Sequence, residues 1–461
     1  MSDRQERVSG PRTALFVAYH YPPIRSGGVE RTLKFTRYLR EFGYRPVVLT
    51  TTAFGRPPEE DGALRAWEPL QTYRFLFNRG SGGQPPPPTA RTRSPLAGPI
   101  RLLGRRLLVP DAQITWAPAA ALKALRYLRR HPVDLICTTS PPASAHLVGL
   151  FLQRRTGLPW VADFRDSWIY DPLDPGLEEW RFRREIERRL EERVVSAADA
   201  VIATTEISAG YFGTAYPDSG KKIEVITNGF DPRDTEADKA CPEGPPPGSA
   251  GGADGPPDPR PGTPDERRPG PMSLLHTGSF SASHPQRSPR TLFAALESLL
   301  QEDPGWRGRI RLELAGSLNA SEQEAAAPLL RSGMVAIHGE VDRKSALDLQ
   351  RRADVLLLVD HARPWPSSNI PGKFFEYAAT GRPILALCGE GMVARMMARL
   401  QAGVCVPPDD EMEIRSALVR LYRECSEGGV RGADPESLRP FHRRELTRQL
   451  AACFDRVVRV R

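Results

Sequence analysis

Proline, glycine and lysine stand directly before a short apolar stretch carrying one glutamate in SSNIPGKFFEYAATGRPILAL, residues 367–387. Pro371 suits the first turn of a helix, where its missing N–H would be unpaired anyway, and Gly372 lets a ligand come near the exposed amides of that turn. Lys373 adds a full positive charge at the same end. Glu376 follows one turn later, three residues on, so its carboxylate and the ammonium share a helix face. An ordinary surface ion pair is the plain account. The neighbours Phe374, Phe375, Tyr377 and Ala378 make the helix apolar nearly all round, however, and a carboxylate buried among them without a partner would be expensive. A hydroxyl-rich ligand would supply that partner, since carboxylates accept well from ribose diols.

Three other places have residues of the right type. In ADFRDSWIYDP, Asp163, Arg165, Asp166 and Trp168 crowd the end of an expected strand, where binding and catalytic groups gather. Asp163 is the functional candidate; Arg165 held between carboxylates as a loop pin is the structural alternative. In YHYPPIRSGGVERTLKF, Gly27 and Gly28 precede a helix and let backbone N–H groups approach an anion, or simply make a tight turn. Arg287 precedes a helix expected from about Ser288, and its guanidinium there would meet phosphate oxygens in a fork. A solvated loop arginine is the alternative. Neither GxGxxG nor GxxxxGK[ST] occurs, and His276 and His284 have no partners at ligand spacing, so no metal site is expected.

These residues must be positioned by elements, and the elements are legible. Apolar runs such as ALFVA (14–18), PVVLT (46–50), VDLICT (133–138), PWVAD (159–163), AVIAT (200–204) and IEVIT (223–227) alternate with helical patterns. They read as strands of a parallel sheet buried on both faces. The first helix has its stripe at Phe35, Tyr38, Leu39 and Phe42 and stops at Gly43. The alternation resumes with SLLHTG (273–278), IRLELAG (310–316), MVAIHG (334–339), ADVLLLV (353–359), PILAL (383–387) and GVCV (403–406). Between the halves, CPEGPPPGSAGGADGPPDPRPGTPDERRPGP (241–271) is too rich in Pro, Gly and Asp to build a core and reads as a linker. RGSGGQPPPPTARTRS (79–94) reads as a surface insert. The expected organisation is a first Rossmann-like domain over 1–235, a linker over 236–271, a second Rossmann-like domain over 272–440, and a last helix over 441–461.

A length of 461 residues suits two domains. The net charge of +8, from 64 Lys and Arg against 56 Asp and Glu, is spread along the chain and fits an anionic ligand or membrane surface better than nucleic acid. Six scattered cysteines without a CxxC pair fit neither a zinc site nor a disulfide framework, but a reducing cytoplasm. No run approaches the roughly 18 apolar residues of a membrane helix, and MSDRQERVSGPRTALFVAYHYPP lacks a signal-peptide core, so a cytoplasmic protein, at most peripheral on the membrane, is expected.

With these residues in place, the sequence resembles the glycosyltransferases of family 4, retaining enzymes with the GT-B fold of two Rossmann-like domains facing each other across a cleft. The segments that carry the resemblance are YHYPPIRSGGVERTLKFTRYLREFGYRPVVLT, DFRDSW, VITNGFDP and NIPGKFFEYAATGRPILA. It implies a nucleotide-diphosphate sugar as donor substrate and no separate cofactor. It places Gly27 and Gly28 on the diphosphate and acceptor side, Arg287 where the family usually has a phosphate-contacting lysine, and Glu376 as the ribose carboxylate. Ser368, Asn369 and Gly372 fall on the donor as well, and Arg287, Lys373 and Asp163 in the catalytic set. Two departures stand out. The family's Glu-x7-Glu pair has Ser368 at its first position, and only Arg287 represents the usual cationic pair near HTGSF. The implied reaction moves a sugar to a hydroxyl with retention, the leaving phosphate taking the acceptor's proton, in cell-surface polysaccharide or glycolipid synthesis. The final helix is expected to cross back to the first domain.

The acceptor is the open end: a sugar, a lipid-linked or a small molecule. RTRSPLAGPIRLLGRRLLVP (91–110) reads as a stretch resting on an anionic membrane or, more plainly, as a helix packed on the sheet with its arginines in water. Base choice is expected to rest on backbone contacts around HGEVDR (338–343). Two competing readings stand beside transfer: a non-catalytic GT-B nucleotide-sugar-binding or partner subunit, marked by Ser368, and an epimerase of the same fold.

Overall fold

A computed structural model describes residues 10–24, 27–55, 61–69, 108–170, 181–236, 270–281, 286–360, 363, 365–429 and 431–460. The insert at 79–94, His284, nearly all of the linker and all but the end of the 91–110 stretch lie outside the described residues.

Each half is an α/β unit around one parallel sheet. The first sheet holds β1 (Arg12–Val17), β2 (Tyr44–Thr51), β3 (Leu64–Ala66), β4 (Leu135–Ser140), β5 (Trp160–Phe164), β6 (Ala200–Ala203) and β7 (Ile223–Val225), in the order β3-β2-β1-β4-β5-β6-β7. The second holds β8 (Met272–Thr277), β9 (Ile310–Ala315), β10 (Val335–Ile337), β11 (Val355–Val359), β12 (Ile384–Leu387) and β13 (Gly403–Val406), in the order β10-β9-β8-β11-β12-β13. Every neighbouring pair is parallel, as strands buried on both faces and joined through helices must be. Both orders reverse direction next to the first strand of the half, at β1/β4 and at β8/β11. In open parallel sheets the ligand crevice forms at such switch points, beyond the strand ends. Of the thirteen strands among the described residues, β3 alone was not expected: three residues cannot show an alternation.

Helices cover both faces. On one side of the first sheet Trp116, Ala120, Val148, Leu152, Val194 and Phe212 close the core. On the other, Phe35 and Leu39 meet Leu446, Leu450 and Phe454 of the helix Arg443–Arg459, so the end of the chain packs on the first sheet. The first helix, Gly27–Tyr38, tightens into a 3-10 turn over Leu39–Phe42 and ends on Gly43 at φ 79°. In the second half Leu292, Leu296, Leu418 and Leu421 fill one face, and Phe374, Tyr377, Met396 and Met397 the other. Among the described residues no helix is long and apolar enough to cross a membrane.

Candidate active site

The helix Gly372–Ala379 begins after Pro371, whose extended backbone turns the chain into it. Phe374, Phe375, Tyr377 and Ala378 are buried, which fixes the helix on the second sheet and leaves its first turn to meet the crevice at β8/β11. Gly372 is exposed, and a side chain there would meet nothing within 4 Å. Lys373 reaches back across the end of β8: its Nζ donates to the Thr277 carbonyl at 2.7 Å. Next to it Gly278 has φ 97°, and a Cβ at that position would come within 3.0 Å of the ammonium, so both conformation and space require glycine there. Burial pushes the Lys373 ammonium down to about 7, Arg287 nearby pushes the same way, and Glu376 opposes them. Among the described residues no carboxylate lies in ion-pair contact with it. Arg287, which precedes the helix Arg290–Glu302, stands 3.4 Å from Asp360 at the end of β11, while Arg363 donates to the same carboxylate at 2.9 Å.

On β8 and on the segments that follow β8 and β11, polar atoms are buried without partners: Nε2 of His276, Nε of Arg287, Nε1 of Trp365, Oγ of Ser367 and Oδ1 of Asn369. Burying such groups unpaired costs about 1–3 kcal/mol each, so their concentration in these segments favours a polar occupant.

Glu376 faces the other way. Arg343 of the helix Arg343–Arg352 lies 3.0 Å from its carboxylate, 2.9 Å from Asp234 and 3.9 Å from Glu30. Burial works against the Arg343 charge, but the carboxylates outweigh it and hold its proton affinity above the ordinary range. Lys373 and Glu376 therefore form no ion pair with each other; one serves the crevice floor and the other the seam with the first half. Ser368 is fully buried in that seam. Its carbonyl accepts from Thr205 Oγ1 at 2.7 Å and its hydroxyl lies 3.3 Å from Ser167. Tyr170 reinforces the contact by donating to the Pro366 carbonyl at 3.2 Å.

On the first half, Asp163 at the end of β5 is 3% exposed, and its carboxylate is fully engaged. Arg31 grips both oxygens at 3.1 and 2.8 Å, and Thr139 donates to one at 3.0 Å. Burial raises this carboxyl, yet the Arg31 charge and hydrogen bonds win and hold it below the ordinary value. Arg31 also donates to the carbonyls of Ile226 and Thr227, so the pair ties the first helix to β5 and to the chain beyond β7. With both oxygens taken by Arg31 and Thr139, the Asp163 carboxylate, expected from the sequence in the catalytic set, ties these elements together in this structure. Arg165 is not held between carboxylates either. Its side chain donates to the carbonyls of Ser140, Pro141 and Gly28, and Asp166 favours its charge. A Cβ on Gly28 would sit 2.7 Å from the Arg165 Nη1, which is a reason for glycine independent of any ligand. Gly27 opens the helix Gly27–Tyr38 beside it.

Four further groups at the strand ends and the seam were missed in the sequence. His20 follows β1, its Nδ1 is buried without a partner, and burial followed by the Arg165 charge pushes its pKa down to about 3, so the ring is neutral. Arg343 carries the Glu376 contact, and Asp360 gathers two arginines. Arg443 is 4% exposed at the start of the last helix; burial and then Arg31 lower its affinity for a proton to about 9. The clue for Asp360 was its place just after a strand. Nothing local marks Arg343 or Arg443 among the many arginines of this chain. His276 is buried against the Leu357 carbonyl and Phe280 as a core histidine. Among the described residues no three His, Cys, Asp or Glu side chains converge as a metal site.

Two family models match the chain. Residues 26–229 fit the glycosyl transferase 4-like domain and residues 271–424 the glycosyl transferases group 1 domain. No curated protein matches. Among solved structures, the sucrose-phosphate synthase of Thermosynechococcus elongatus superposes with a TM-score of 0.61 at 15% identity, over 98% of this chain and 100% of that one. The HepE protein of Anabaena, solved with UDP and glucose, gives 0.54 at 16% identity over 96% and 100% of the two chains. A trehalose-6-phosphate protein of E. coli bound to UDP-2-fluoro glucose gives 0.58 at 13% over 96% and 98%. At these identities the structures establish the shared fold.

Proposed function

The chain belongs to the family 4-like glycosyltransferases with the GT-B fold, and from that premise we propose that it moves a sugar from a nucleotide-diphosphate donor to a hydroxyl acceptor with retention. One observation carries the reading. A half-buried lysine and a nearly buried arginine stand together at a sheet switch point, the lysine without a carboxylate in ion-pair contact among the described residues, in front of an open helix N-terminus. A diphosphate is the group that such a set lacks. UDP-sugar ligands named for the HepE and E. coli structures are consistent with that donor class.

In this reading Arg287, Lys373 and the first amides of the Gly372–Ala379 helix hold the diphosphate and stabilise the charge that grows on it. The bond from the sugar's anomeric carbon to the diphosphate oxygen breaks, and the acceptor oxygen bonds to the same face of that carbon. The acceptor's proton passes to a leaving phosphate oxygen, so no separate base is needed. Glu376 accepts from the ribose hydroxyls once Arg343 releases one of the lone pairs of the Glu376 carboxylate. Asn369 and Ser367 lie where the sugar would enter, and the positive charge of Arg287 and Lys373 makes the reading metal-independent. Losing one such donor typically costs about 10²- to 10³-fold in rate.

Ser368 favours one second reading. Its burial against Thr205 and Ser167 leaves the first half's surface where a donor-facing carboxylate would be expected, which suits a subunit that binds nucleotide sugar without turning it over. Incubation with a panel of nucleotide sugars and hydroxyl acceptors separates the two. Release of free nucleoside diphosphate, abolished by Arg287→Ala and Glu376→Ala, supports transfer; saturable binding with no product across the panel supports the binding subunit and refutes the enzyme.

A further inference from the structure

Three helices, Ala117–Leu128, Ser144–Thr156 and Arg181–Ala197, lie side by side on one face of the first sheet, bonded to it through the core that contains Ala120, Val148 and Val194. Their inner faces are apolar and their outer faces are strongly basic. Counting residues 117–130, 144–156 and 181–197, eleven lysine and arginine side chains are exposed, and Glu185 and Glu192 are the carboxylates turned to solvent beside them. The other two glutamates of the third helix, Glu187 and Glu191, are buried, the first on Arg183 and the second on Tyr211 and Tyr216. Charge that is scattered along the sequence is thus gathered onto one face.

The relief of this face has two features. Two shallow cavities adjoin along the third helix and share Arg188: one of about 570 Å³ bordered by Arg154, Arg189, Arg193 and Glu192, and one of about 610 Å³ bordered by Arg181, Arg184, Glu185 and Tyr211, with Arg188 paired to both glutamates and Arg189 to Glu185, so that the cations outnumber the carboxylates in each. Large apolar side chains also stand in water among the arginines, one on each helix: Leu122 at 53% exposure, Phe151 at 38% and Phe182 at 79%. Exposed rings beside cations are costly in water and find both of their preferred surroundings at a lipid interface, where phosphates meet acyl chains.

We propose that this face is a docking surface for an anionic lipid bilayer, with phosphate headgroups in the two arginine-lined cavities and Leu122, Phe151 and Phe182 in the interfacial region. A duplex nucleic acid or a soluble polyanion such as heparin would use the arginines alone, and stacked bases of a single strand would use the two rings but not Leu122, so the lipid surface is the occupant that accounts for all three apolar groups together with the charge. The orientation fits an enzyme working on a membrane-bound acceptor. The third helix runs back against the strands, since β6 follows it at Ala200, which puts Arg181 at the crevice end of the sheet. From there Ile169 and Tyr170 lead directly to the Pro366 contact of the seam. The docking proposal rests on surface composition alone; its consequence, that the acceptor is lipid-linked, rests on the transferase reading.

The test is sedimentation of the full chain with vesicles of phosphatidylcholine alone and of phosphatidylcholine with about a third phosphatidylglycerol, without donor or acceptor. Binding is expected to be at least tenfold stronger to the anionic vesicles and to fade as salt is raised to about 1 M, where screening shortens to about 3 Å. Charge reversal at Arg154→Glu, Arg189→Glu and Arg193→Glu should weaken it at least tenfold, and Phe151→Ser with Phe182→Ser several-fold at low salt, with unchanged melting temperatures and unchanged nucleoside diphosphate binding. Should the triple reversal not fold, the Phe pair and the salt dependence of the wild type decide. Equal binding to both vesicles, none to the anionic ones, or indifference to the Phe pair with heparin bound through the same arginines would each overturn the proposal. None of these outcomes touches the transferase reading, which is scored by product release in solution.

Discussion

Lys373 ties donor binding to pH in a way that can be worked out in advance. In the free protein its ammonium is held at about 7 by burial and by Arg287, against an ordinary value of 10.5. A diphosphate placed against it stabilises the charged form and returns its pKa toward the ordinary value. Above pH 7 the free lysine is neutral while the complex needs it charged, so binding takes up a proton. Affinity is then full below pH 7 and falls by about tenfold, or about 1.4 kcal/mol, for each pH unit above it until the pKa of the complex is reached. Between pH 7 and pH 9 the dissociation constant of a nucleoside diphosphate should weaken by up to about 100-fold. Isothermal titration calorimetry in two buffers of different ionisation enthalpy measures both quantities, and close to one proton should be absorbed near pH 8. Lys373→Arg, which stays charged, should flatten the profile. The same depressed pKa makes this lysine a liability to the unliganded fold at low pH: the unfolded chain holds the proton more tightly from pH 7 up to about 10.5, so the penalty is full below 7 and is relieved as pH rises. Lys373→Met should therefore melt above the wild type at pH 6, with the gap narrowing toward pH 9. An affinity that is flat from pH 7 to 9, or binding that releases protons, would show that Lys373 does not face the diphosphate.

The remaining expectations concern other parts of the site. Glu376→Gln keeps the shape but not the charge of the ribose partner and should raise the donor KM on the order of tenfold with a smaller effect on kcat, since charged acceptors bind hydroxyls more strongly by about 1–2 kcal/mol; an unchanged KM would remove Glu376 from the donor. Arg31→Met leaves the Asp163 carboxylate buried and uncompensated and should cost about 3–5 kcal/mol of stability, read as a drop in denaturation midpoint; loss of turnover at unchanged stability would instead return Asp163 to catalysis. Gly28→Ala forces a methyl into the Arg165 guanidinium, 2.7 Å away, and should destabilise by about 1–3 kcal/mol, whereas a midpoint equal to that of the wild type would mean the loop yields freely.

Strands were the most legible part of the chain because their signal is local. VLLLV is an unbroken apolar run at β11, and such a run between helices has few other uses than a strand buried on both faces. The PGKFFEY helix was legible for a similar reason: proline, glycine and the buried aromatics report its start and its inner face within seven residues. What the side chains do at the strand ends was not legible, because their partners are distant in sequence. Asp163 reads as a functional candidate at a strand end, and only the fold shows Arg31 holding it from 132 residues away. Gly28 reads as an anion-binding glycine until Arg165 is found under it, and Glu376 is met not by its i−3 lysine but by Arg343 on another helix. The basic face was invisible for the same reason: a net charge of +8 over 461 residues looks even until folding sorts buried glutamates from exposed arginines.

The seam explains why the same short segment carries so much of the site. Residues 366–371 touch the first half through the Pro366 and Ser368 carbonyls, and five residues after Ser368 the chain has already reached Lys373 at the crevice floor. A change in how the two halves meet at these contacts therefore passes through the backbone that sets the N-terminus of the helix Gly372–Ala379. Arg343 couples the opposite side in the same manner, because the guanidinium that restrains Glu376 is also the one that holds Asp234 of the first half. A ribose that takes Glu376 competes with a bond across the seam. Donor occupancy and apposition of the halves are linked on this geometry through two contacts of opposite kind, a neutral hydrogen bond from Thr205 that the donor leaves intact and an ion pair that it weakens.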